Sequence, residues 1–214
     1  MAHMRVIGVA HVDRYKKDIY DYVQQTGLNK NIMLELDPHD ATRFESFSRK
    51  KPEKDWSYFY WLKHEFSKTA EVIEGDIHKT ECSSIGLAFA DYFIGQIEKY
   101  DDRNYQPTNL SVINDLVKIT GMSLAGSLLT CTEASLPSNM RKRNQGLIET
   151  IEKEQPETTI VGAAHAFAIK KAIPQMDFEL FLIKRSPLTY YPHIPSLSMF
   201  AAAYQIMPDK VVWR

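Results

Sequence analysis

The sequence predicts an α/β fold with a mostly parallel central sheet flanked by helices and carrying helical insertions. Two Gly-x-x-His segments point to it first: Gly8-Val9-Ala10-His11 and Gly162-Ala163-Ala164-His165 each come directly off a short β-branched run, Val6-Ile7 and Thr159-Ile160-Val161. Such a run reads as a buried strand whose carboxyl end opens into a loop. A strand, helix, strand unit near the start is the second sign, of about the length that a right-handed parallel crossover requires. The third is composition: 214 residues with 44% hydrophobic and 25% charged content suit one globular domain with a sizeable core.

Taken in order, Met1-Ala2-His3 reads as a cloning remnant before a native Met4, and Arg5 opens the first strand. Asp13 can cap a helix that places Tyr15, Ile19, Tyr22 and Val23 on one face, with Gly27 ending it. Asn31 to Leu36 is the second strand, stopped by Asp37-Pro38, and it puts Glu35 near its carboxyl end. Residues 39 to 70 read as helical or irregular, with a break at Arg49-Lys50-Lys51-Pro52. The aromatic cluster Trp56 to Trp61 suits core or a homodimer interface.

Glu71 to Ile77 holds a third strand, and helices follow over Ser84 to Tyr100 and Leu110 to Thr120. Met122 to Thr132 is rich in small residues and ambiguous. Pro137-Ser138 starts a helix carrying Arg141, Arg143 and Asn144. Thr158 to Val161 is the next strand, Gly162 to His165 its terminal loop, and Phe178 to Ile183 the last strand. The proline- and aromatic-containing tail, 187–214, is expected to wrap the domain or a partner subunit.

The totals exclude several classes of function. A formal net charge of −1 provides no field that would gather nucleic acid or anionic lipid. Cys82 and Cys131 stand far apart, so neither a disulfide framework nor a thiolate zinc site is expected, and a reducing, cytoplasmic setting fits. No membrane span is expected, since no apolar stretch approaches the roughly 20 residues that one needs. His39, His64, His78 and His193 share no spacing and read as surface or structural.

The chemistry gathers at one edge. In open α/β sheets ligands bind outside the carboxyl ends of the strands, and that edge collects His11, Glu35 and His165. Neutral imidazole and carboxylate are the usual nitrogen and oxygen donors for a borderline or hard divalent ion. Glu35 could serve as ligand or as general base. Either histidine alone more often satisfies a core or loop hydrogen bond, and the matched pair with Glu35 is what raises a shared site.

Val6-Ile7-Gly8-Val9-Ala10-His11, Leu34-Glu35-Leu36-Asp37, Arg143-Asn144 and Ile160-Val161-Gly162-Ala163-Ala164-His165, in that order, resemble the TraB/PrgY/GumN (Tiki) family. That family lies within a wider group that includes ChaN-like haem-binding and erythromycin-esterase-like proteins. The resemblance covers nearly the whole chain. It departs at Ala168, where a glycine is frequent, at Leu147, where a methionine is common, and at Cys82-Ser83-Ser84, where many relatives have Gly-Ser-Glu.

The resemblance implies a metal-dependent hydrolase, most plausibly peptidase-like and using a divalent ion (Mn, Co or Zn), with His11, Glu35 and His165 around the ion and Arg143 in the cavity. Arg143 would hold a substrate carboxylate or stabilise an oxyanion. The alternative it leaves open is a non-catalytic protein that sequesters a peptide signal or haem in the same cavity.

Overall fold

Short apolar runs become strands here, the central ones buried on both faces, and parallel strands are the form that tolerates this. The computed structural model describes residues 4–10, 15–27, 30–36, 58–76, 99–100, 104–135, 139–182 and 193–214. Among them are six strands: β1 (Arg5–Val9), β2 (Asn31–Leu34), β3 (Glu71–Glu74), β4 (Thr158–Gly162), β5 (Asp177–Leu182) and β6 (Lys210–Trp213). They form one sheet in the order β3-β2-β4-β1-β5-β6. Every neighbouring pair is parallel, so the α/β expectation holds.

The helices are α1 (Lys16–Thr26), α2 (Tyr58–Phe66), α3 (Asn109–Ser135), α4 (Asn139–Glu154), α5 (Ala163–Ala172) and α6 (His193–Tyr204). They sort into two layers. Ile7, Val9, Ile32 and Leu34 face one way and pack with Ile19 and Val23 of α1 and Phe59, Leu62 and Phe66 of α2. Val6, Met33 and Val161 face the other way and pack with Leu147 and Ile151 of α4, Phe167 of α5 and Phe200 of α6. The strand alternation thus feeds two cores, one on each side of the sheet. Removal of each such aliphatic or aromatic side chain from water contributes roughly 1.5–3 kcal/mol.

Connection direction follows the layers. From β1 the chain moves to β2 and β3 through α1 and α2 on one face, then returns to β4, β5 and β6 through helices on the other. One crossover hand throughout produces this arrangement. The direction reverses between the neighbours β1 and β4, and a crevice at their carboxyl ends is the usual ligand position.

Several expectations are met in detail. Tyr15, Ile19, Tyr22 and Val23 are buried, and Gly27 closes α1 at φ 73, a left-handed conformation that glycine adopts without strain. The proposed Asp13 cap, the Asp37-Pro38 stop, the break at 49–52, the start at Pro137-Ser138, Cys82, His39 and His78 lie outside the described residues. So do Trp56 and most of the helix expected over 84–100.

Three readings need correction. Met122 to Thr132 is not a separate segment, because α3 runs unbroken for 27 residues through Gly121. It is also long and apolar enough to cross a membrane, with mean hydropathy 1.2 over an 18-residue stretch that is 11% buried. The expectation that no stretch reaches that length therefore fails by length and composition. Finally, β5 is not the last strand: within the tail, α6 packs on α5, and β6 adds a parallel edge strand to β5. Phe178 N–H donates to Asp209 Oδ2 (2.7 Å) and Asp209 N–H donates to Phe178 O (2.8 Å), which fastens that strand in place.

Candidate functional site

Glu35 is the residue immediately after β2. Its N–H donates to Ile160 O at 3.2 Å, which carries the β2–β4 ladder one step beyond the strand. On its other side, Gly75 N–H donates to Leu34 O and Asp76 N–H to Leu36 O, both at 2.9 Å. Residues 34–36 are therefore held between the ends of β3 and β4. A Cβ on Gly75 would fall 2.1 Å from Met33 Cε, so any larger residue there would displace the buried Met33 side chain.

The carboxylate of Glu35 is buried and engaged at both oxygens. Oε2 accepts the Gly162 N–H at 2.6 Å, and Oε1 accepts from Arg143 Nη2 at 2.6 Å. His165 Nε2 lies 3.3 Å from the same Oε1. Arg143 also donates to Asp76 Oδ2 from Nε (3.0 Å) and from Nη2 (2.5 Å). Asp76 Oδ1 is buried and has no hydrogen-bond partner among the described residues.

Helix α4 reaches the site with two successive residues. Arg141 and Lys142 are exposed, whereas Arg143 is half-buried and Asn144 fully buried on the face shared with Leu147 and Ile151. The solvated face of this helix thus stops before Arg143. Asn144 Oδ1 meets His165 Nδ1 at 2.6 Å. With Oδ1 as acceptor, Nδ1 donates, and this contact turns Nε2 toward Glu35. Tyr204 on α6 completes the wall behind Asn144. Burial pushes its phenol up, the nearby Cys131 thiol adds to this and the Asn144 side chain opposes it.

The two Gly-x-x-His segments do different work. Gly162 ends β4 at φ −55, ψ 143 and caps α5, so His165 stands in the first turn of that helix and not in a loop. Gly8 lies within β1. A Cβ there would come within 2.9 Å of Leu180 Cδ2, 3.0 Å of Ala166 Cβ and 3.1 Å of Ala163 Cα. Its bare backbone lets α5 settle onto β1, which sets the position of His165.

Of the expected set, Glu35, His165 and Arg143 come together, and His11 lies outside the described residues. Asp76 and the holding role of Asn144 were not expected from the sequence. In Glu71-Val72-Ile73-Glu74-Gly75-Asp76 no local signal separates Asp76 from an ordinary turn residue. His64 sits on α2 with 41% side-chain exposure, a surface position as expected. Tyr58 and Phe59 are core, and Tyr60 and Trp61 pack against it.

The divalent ion that the resemblance implies can be tested on these distances. Two ligands bonded at about 2.1 Å to one tetrahedral or octahedral ion stand roughly 3.0–3.4 Å apart. The 3.3 Å between His165 Nε2 and Glu35 Oε1 falls in that range, and a ring whose other nitrogen donates to an oxygen is the usual metal-binding arrangement. Among the described residues no group of three His, Cys, Asp or Glu side chains forms a complete cage. The pair fits such an ion as part of its coordination.

Fold and cluster together define a doubly wound, all-parallel α/β protein with a buried ionic site beside its switch point. Set against family models, curated proteins and solved structures, the chain matches none of them.

Proposed function

We propose that the protein is a divalent-ion-dependent hydrolase acting on a peptide or related amide at the carboxyl-end crevice. The observation that carries this reading is the contact of His165 Nε2 with Glu35 Oε1, with the ring held from behind by Asn144. His165 and Glu35 would hold the ion, with His11 as the expected further ligand. When bound, such an ion supplies Lewis acidity, drawing electron density from a carbonyl oxygen and acidifying water.

The protein's own groups would do the rest. Glu35 sits where it can take a proton from water once Arg143 releases it, and Arg143 presents positive charge where an oxyanion would develop. Burial of the cluster strengthens each of these interactions by lowering the local dielectric.

A second reading, binding of a peptide or haem without turnover, draws on one observation. Both Glu35 oxygens already accept hydrogen bonds, which suits a fixed structural acceptor better than a mobile base. Titration calorimetry of chelator-stripped protein with Mn, Co and Zn separates the readings, followed by peptide cleavage assays with the ion that binds. We expect one ion to bind and His165→Ala to weaken it at least about tenfold. Binding of none of the three, or an unchanged affinity in His165→Ala, overturns the hydrolase reading.

A further inference from the structure

Glu35 and Asp76 share one guanidinium unequally. Nε and Nη2 of Arg143 both converge on Asp76 Oδ2, whereas only Nη2 reaches Glu35. Any cation that binds Glu35 Oε1 repels the guanidinium beside it, so Arg143 must have somewhere else to place its charge. Asp76 Oδ1 is the available acceptor: it is buried and without a hydrogen-bond partner among the described residues. A small turn that moves Nη2 from Glu35 to Oδ1 while Nε stays on Oδ2 makes the bidentate arginine–carboxylate pair, the strongest geometry open to these groups.

We propose that Asp76 is a positioning residue that takes over Arg143 when Glu35 turns to a cation. The inference rests on the hydrolase reading for its purpose, but the preference of Arg143 for Asp76 stands without it. The backbone supports the role. Asp76 N–H is fixed on Leu36 O, and Gly75 is fixed on Leu34 O, so the acceptor keeps its place while the guanidinium moves. The outcome is a site in which Glu35 can be freed while Arg143 keeps a carboxylate beside it.

Removing the acceptor directs Arg143 onto Glu35. Asp76→Asn, close in shape but uncharged, should therefore weaken Mn binding by calorimetry on the order of tenfold. Adding Arg143→Gln in the same chain should restore most of the affinity, because the competing charge is gone. Asp76→Glu, which keeps the charge, should stay nearer to the wild type and serves if Asp76→Asn does not fold. A double variant as weak as Asp76→Asn alone, or an Asp76→Asn affinity equal to wild type, overturns the proposal.

If the wild type binds no ion, the hydrolase reading falls while the positioning remains measurable. The Arg143 Nε–H resonance, assigned by its loss in Arg143→Lys, should then persist in Glu35→Gln and vanish in Asp76→Asn. The reverse pattern overturns it.

Discussion

An arginine stands at each end of the sheet, Arg5 buried and Arg143 half-buried, and the two are satisfied in opposite ways. Arg5 opens β1 and is 2% exposed; its Nε donates to Thr158 Oγ1 (3.0 Å), its Nη2 to Thr26 Oγ1 (2.5 Å), and its nearest carboxylate, Glu179, stands 4.0 Å away. Around it, Tyr22 donates to Glu179 at 2.7 Å and Lys210 donates to Tyr22 at 2.9 Å. Arg143 at the carboxyl end meets two carboxylates, one of them touching a histidine. The amino-end arginine is tied by neutral hydroxyls that join β1, β4 and α1. The carboxyl-end arginine belongs to a cluster with an acceptor to spare, so what surrounds each arginine is what tells the two apart.

Arg5→Ala should be the most damaging change at the amino end. It leaves the Thr158 and Thr26 hydroxyls without their buried donor and opens a cavity, and should cost roughly 3 kcal/mol in urea unfolding. Ion affinity of the folded fraction should stay unchanged; a loss of binding with stability intact would erase the distinction between the two ends.

Gly8→Ala tests the element that joins them. The added methyl presses against Ala163 and Ala166 of α5, so about 1–3 kcal/mol of stability should be lost. His165 should shift with its helix, and ion affinity should fall alongside stability. If stability falls and affinity holds, α5 does not set the histidine.

Tyr22→Phe should have the smallest effect, about 1 kcal/mol for the lost hydrogen bond. Its pH dependence has a defined sign. Burial raises the Tyr22 phenol, with the Lys210 hydrogen bond opposing and the Glu179 hydrogen bond adding. The folded state thus holds the proton more tightly than the unfolded chain, and this stability is present below the ordinary phenol range near pH 10 and lost as pH rises through the folded value. Unfolding curves from pH 8 to 11 should show a steeper alkaline decline for wild type than for Tyr22→Phe. Parallel curves would place Tyr22 outside the network.

The sheet interior was legible because β1, β2, β4 and β5 are dense β-branched or apolar runs, and α1 has both a clear stripe and a closing glycine. The long helix α3 was harder. Between Gly121 and Gly126 its residues are mostly small, and only Ile119 and Ser127 are buried along its length, so no contrast between faces survives. The edge strand β6 has four residues that are largely exposed, and it carries no two-residue alternation.

At the site, Glu35 and His165 were readable from their strand ends. Asp76 was not, because an acidic residue after a glycine resembles any turn until the β2–β3 register puts it beside Glu35. Asn144 was noted only as the neighbour of Arg143. Its contact depends on the helix face that meets α5, which packing decides and local sequence does not.

That adjacency has a consequence for how the chain can change over time. Consecutive helical residues point about 100° apart, yet Arg143 and Asn144 grip opposite halves of one cluster, the carboxylates and the imidazole. A single-residue insertion in α4 between this pair and the core anchors Leu147 and Ile151 would swing both away together. Lineages that keep this chemistry should therefore accept length changes before Asn139 or after Glu154 and refuse them between Asn144 and Leu147.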